Sequence, residues 1–141
     1  SMIMRSQAHN LAIRPVIAPA ANTDLGTTAL VGTVIDRLGY EALTYAIITG
    51  TLSDADATYA VLLEESDESG SNFTAVDDTD LIGTEAAAGF TFANDGVVRK
   101  LGYVGNRRYT RLTITPTGAN SGNSPIAAMA ILGHARERPV S

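Results

Sequence analysis

About every ten residues a cluster of Gly, Asp, Asn or Ser interrupts this chain, and the stretches between are short and rich in Val, Ile, Thr, Tyr and Leu. That rhythm leaves little room for a helix of ordinary length and favours strands joined by turns. Eight segments carry it: residues 29–39, 41–50, 57–66, 73–78, 89–95, 97–105, 107–116 and 125–134. About eight antiparallel strands at this spacing predict an all-β domain, a β-sandwich or jelly roll. Between them, "LIGTEAAA" at 81–88 has room for one helical turn, bracketed too closely by Gly83 and Gly89 for a stable helix.

A length of 141 residues suits one domain with its own core. The domain is assigned to residues 29–135. Residues 1–28, with Pro15 and Pro19 and no sustained period, read as an extended arm suited to packing on a neighbouring subunit, and residues 136–141 as a tail. "NDG" at 94–96 and "GN" at 105–106 offer residues tolerant of positive φ, so residues 89–116 read as three consecutive hairpin-linked strands. Strand alternation nominates Leu43, Ile47, Val61, Leu63, Phe92, Leu112 and Ile114 for the core. "DRLGYEALTY" (36–45) faintly echoes "RKLGYVGNRRY" (99–109), which reads either as two unrelated strand ends with a glycine bulge or as equivalent elements of two sheets.

Chemistry is sparse. With no cysteine there is no disulfide, thiolate metal site or cysteine nucleophile. The two histidines, His9 and His134, lie far apart in sequence and no "GxSxG" elbow accompanies them, so the chain reads as non-enzymatic and calls for no cofactor. Asp54 and Asp56 in "SDADA", and Asp77, Asp78 and Asp80 in "DDTD", are hard oxygen donors that miss the calcium-loop spacing; they read as solvated acidic turns. No apolar run approaches the roughly 20 residues that span a bilayer. A net charge of -5 argues against a nucleic-acid partner for the whole surface.

The charge is unevenly placed. Ten acids and no Lys or Arg lie between Asp54 and Glu85, whereas Arg99, Lys100, Arg107, Arg108 and Arg111 supply half of the ten basic residues within thirteen positions. Alternation puts Arg107, Tyr109, Arg111 and Thr113 on one face of a strand whose other face carries Leu112 and Ile114 to the core. Arg99, Lys100, Arg107, Tyr109 and Arg111 are therefore the candidate partner-binding residues. Three readings of this row stand: pairing with acids of the same subunit, docking on the acidic face of another subunit, or a sugar or nucleic-acid site.

The block from Ile35 to Pro116, with the ordered series "DRLGYE", "DADATYAVLLEESD", "LIGTEAA" and "VRKLGYVGNRRYTRLTITP", resembles a family of small structural proteins of tailed bacteriophages and phage-like elements. The resemblance implies a virion protein, a head decoration or other minor component, made in the bacterial cytoplasm, self-associating and bound to capsid or other virion proteins. It implies no catalytic residues. "RRYTRLTI" (107–114) is also similar to a strand of galactose-binding-like jelly rolls, which gives a carbohydrate-binding module of a host-recognition spike as the alternative. A chain with no Trp and five Tyr is thinly supplied with sugar platforms.

Overall fold

The computed structural model describes residues 10–135 of the chain. They form two antiparallel β-sheets packed face to face, a β-sandwich as the turn rhythm predicts. The first sheet joins β1 (Ala12–Ile17), β11 (Ile126–Ala135), β4 (Tyr40–Thr49), β9 (Val98–Tyr103) and β7 (Leu81–Ile82), in that order. In the second, β10 (Tyr109–Thr117) pairs along its length with β5 (Thr58–Ser66). Short strands flank that pair: β2 (Leu30–Val31) and β3 (Ile35–Asp36) on β10, β6 (Thr74–Ala75) and β8 (Phe90–Thr91) on β5.

The core lies between the sheets and follows the alternation. Leu43, Tyr45 and Ile47 of β4 meet Val61, Leu63, Leu112 and Ile114 from the opposite sheet, all buried. Phe92 is the exception among the nominated residues, 41% exposed, while Phe90 is 4% exposed and stacks on Tyr59 with ring centroids 4.8 Å apart. β8 ends at Thr91, where Asn94 Oδ1 accepts from the Thr91 N–H and turns the chain. Position 92 therefore escapes the alternation that would have aligned it with position 90.

Three other expectations are corrected. Residues 12–17 are not part of an arm: β1 completes the first sheet against β11 and buries Ala12 and Val16. Its proline, Pro15, fits an edge position, since an edge strand leaves one side of its backbone unpaired. Residues 1–9 of that expected arm, His9 included, and the tail at 136–141 lie outside the described residues. Second, residues 89–116 are not a run of hairpins. β8 and β10 both pair with β5, whereas β9 pairs with β4, so "NDG" and "GN" carry the chain between sheets. Positive φ at Gly96 serves a crossover as readily as a hairpin. Third, the expected strand at 29–39 is two short ones broken at Gly32. Its N–H bonds Leu112 O at 2.7 Å, and a Cβ there would come within 2.5 Å of Val16 Cγ1.

The expected helical turn is present as α1 (Glu85–Ala88). The Thr84 hydroxyl caps it by accepting from the Ala87 N–H, and the Glu85 carboxylate accepts from the Leu63 N–H at 2.7 Å. Those two bonds hold a turn that propensity alone would not. The echoed segments are not equivalent: Gly39 has φ +91° in a turn, whereas Gly102 sits within β9.

Candidate interaction surfaces

Strand order divides the cationic cluster between the two sheets. Arg99 and Lys100 belong to β9, while Tyr109 and Arg111 belong to β10 and Arg107 lies just before it. Arg99 is half-buried, with Nε enclosed and lacking a hydrogen-bond partner among the described residues; Lys100 is exposed on the opposite side of its strand. The five nominated residues therefore do not form one patch.

Those on the second sheet meet acids of their own chain. Arg111 stands opposite Glu64 in the ladder, with Nη2 2.9 Å from Oε1 and its guanidinium 4.3 Å above the Phe73 ring. Arg108 grips Asp36 through two bonds of 2.9 Å and lies 5.0 Å over Tyr109, which is half-buried. Arg107 pairs with Asp67. The guanidiniums of Arg108 and Arg107 hold the Asp36 and Asp67 carboxyls, respectively, below the usual carboxylate range. Cross-strand pairing within the subunit thus accounts for Arg107, Arg108 and Arg111.

The network around this row includes residues that strand alternation did not nominate. Arg37, between β3 and β4, donates to Arg107 O through Nε at 2.8 Å and to Gly105 O through Nη2 at 3.1 Å, and lies 4.8 Å over the Tyr103 ring. Tyr103 Oη donates to Glu65 Oε1 at 2.7 Å and accepts from the Arg107 N–H at 3.0 Å. Burial, with the bond to Glu65, pushes the Tyr103 phenol up to about 12. The arrangement ties the end of β9 to the start of β10.

The acidic turns are also engaged in structure. Asp54 is buried, and its carboxylate accepts from the Ser121 N–H at 2.8 Å and the Asp56 N–H at 3.0 Å, bonds that lower its pKa. The expected solvated turn is here a clasp between the β4–β5 and β10–β11 loops. Asp77 caps a single 3-10 turn by accepting from the Thr79 N–H at 2.9 Å. Among the described residues no group of three or more His, Cys, Asp or Glu is placed to hold a metal ion, and no helix is long and apolar enough to cross a membrane.

The two outward faces of the sandwich differ in kind. That of the second sheet is mixed: Arg111 stands beside Glu64, Thr115 beside Ala60 and Thr117 beside Thr58, and one row sets Thr113 between the exposed Val31 and Leu62. The first sheet turns apolar side chains outward in three cross-strand rows. One runs Ile13, Ile131, Thr44 and Gly102, with Ile82 lying over Gly102, where a Cβ would sit 3.0 Å from it. The next runs Pro15, Met129, Ala46 and Lys100. The third runs Ala127, Ile48 and Val98. Ile13 is 59%, Ile48 45% and Val98 57% exposed. Lys100, at a stretch of β9 where β7 no longer pairs, is the one charge in these rows.

The signal for this face was in the sequence. "YEALTYAIIT" and "IAAMAILGHA" are apolar on both parities, the pattern of strands covered on both sides. Alternation identified the core positions in "YEALTYAIIT" and passed over the other parity.

No protein-family model and no curated protein matches this chain. Among solved structures it is similar to the PBSX exported protein XepA, at 19% identity and a TM-score of 0.57, over 92% of this chain and 39% of that one. It is also similar to a chain of infectious bursal disease virus, Gx strain, at 11% identity and a TM-score of 0.50, over 88% of this chain and 32% of that one. The xylan-binding module CBM15 aligns at 10% identity and a TM-score of 0.48, over 93% of this chain and 95% of the module. The chain thus spans well under half of the XepA and virus chains, and at these identities the likeness establishes a shared β-sandwich.

Proposed function

We propose that this chain is a non-enzymatic structural protein of the virion of a tailed phage or phage-like element, one that decorates or stabilises the head by associating with itself and with capsid proteins. The observation that carries the reading is the outward face of the first sheet: exposed, apolar and nearly free of charge, on a domain in which Arg107, Arg108, Arg111, Asp54 and Asp77 are engaged in holding loops and strands together. A contiguous apolar face on a small domain marks a site of association. The sequence resemblance across residues 35–116 points the same way, and similarity in fold to an exported protein and to a virus chain accords with it.

The test is cosedimentation of purified protein with assembled heads that lack it. Saturable binding at a fixed number of copies per head supports the proposal. Failure to bind, together with a strong and competable signal on a glycan array, would overturn it in favour of a carbohydrate-binding module.

A further inference from the structure

The outward face of the first sheet also carries information about its occupant. In the three rows described, the ladder between β4 and β11 pairs one larger with one smaller side chain: Met129 with Ala46, Ile131 with Thr44, Ile48 with Ala127; the next pair along, Gly133 with Ala42, is small on both strands. A two-fold axis lying in the plane of contact, parallel to the strands and midway between β4 and β11, would lay β11 of one copy over β4 of another at the same level. Every larger side chain would then rest on the partner's smaller one. We infer that the occupant of this face is a second copy of the chain, stacked sheet on sheet about such an axis.

Size and charge agree. About that axis β1 lies over the partner's β9 and β11 over its β4, so four strands about 4.8 Å apart, with an overlap of about 25 Å along them, give a face of about 480 Å² per copy; a pair would bury about 1,000 Å², the least expected of a specific interface. Sheets stacked in this way sit about 10 Å apart, a spacing that small residues along β4 permit. Like faces repel when charged, and the one charge here, Lys100, lies on the unpaired margin of β9, where its long side chain can reach water. The inference gives a surface to the self-association in the proposed function and rests on that reading.

The test is light scattering on the full chain, with head binding measured on the same preparations. Wild type should scatter as twice 14.7 kDa, and Met129→Glu as a monomer of that mass with an unchanged melting temperature. Thr44→Glu repeats the test at the neighbouring pair if the first variant does not fold. Ala46→Lys should also be monomeric, and mixing it with Met129→Glu should restore a mixed dimer, because the axis sets those two positions against each other. A wild-type monomer, a Met129→Glu variant that stays dimeric, or a mixture that fails to pair overturns the inference. A monomer that binds heads through a Met129-sensitive contact overturns it too and assigns the face to a head protein, leaving the proposed function standing. A dimer lost in Met129→Glu, with no head binding by wild type, supports this interface and removes the head-binding role.

Discussion

Tyr45 Oη lies 2.6 Å from Thr110 Oγ1, and this buried bond joins β4 of one sheet to β10 of the other across the core. Tyr45→Phe leaves the Thr110 hydroxyl enclosed without its partner, which costs about 1–3 kcal/mol. Thr110→Val leaves the phenol in the same position. The double variant should be less destabilised than the sum of the two, because no polar group is then left unmatched. Urea denaturation of the four proteins measures the coupling, and strict additivity would show that the bond contributes nothing.

Leu112 is fully buried at the centre of β10, facing β4 across the core. Leu112→Ala should cost about 2–5 kcal/mol by loss of transfer free energy and creation of a cavity. A loss below about half a kcal/mol on chemical denaturation would contradict the close packing seen there.

Arg111 belongs to its own subunit's ladder, so Arg111→Glu should act on stability and leave association unchanged. Setting a second carboxylate against Glu64 and removing the guanidinium from Phe73 should cost about 1 kcal/mol, partly screened by salt. The charge-swapped variant Arg111→Glu with Glu64→Arg should recover most of it. Weakened association at full stability would return the row to an intersubunit role.

Alkaline pH should unfold the domain through its tyrosines. An unfolded tyrosine loses its proton near pH 10, whereas Tyr103 retains it to about 12 and burial raises Tyr45 as well. From about pH 10 upward the unfolded chain binds fewer protons than the native one, so stability is complete below that range and falls as pH rises through it. Tyr103→Phe should reduce the slope of stability against pH there. Denaturation midpoints across that range, read with tyrosinate absorbance, check the sign; a flat profile would contradict it.

The parts of this fold legible in the sequence are those governed by local rules. Leu112 and Ile114 lie inward and Arg111 outward because a strand alternates, and the turn residues mark where strands stop. What was not legible depends on partners distant in sequence. "NDG" and "GN" fit hairpins and crossovers equally, and only the pairing of β9 with β4 decides between them. Residues 12–17 look irregular until β11 supplies their ladder. The cations were conspicuous because they cluster along the chain, yet β9 and β10 lie in different sheets and each arginine of the second meets an acid whose position depends on tertiary structure. The apolar outward face was read as strand without being read as surface, because composition does not say which side of a sheet another layer covers.

The placement of β11 between β1 and β4 has a kinetic consequence. β4 is formed by residues 40–49, yet its longest ladder waits for residues 126–135, and β1 has no neighbour until the same strand arrives. Every stabilising pairing of the first sheet except those with β9 is thus deferred until loops of about eighty residues or more have closed, an entropic cost met before the contacts repay it. Such a topology folds slowly, on the order of milliseconds to seconds, and it leaves two apolar strands without their neighbours in the meantime. The chain's greatest exposure to aggregation therefore falls during its own synthesis, before the face that later invites association has been assembled.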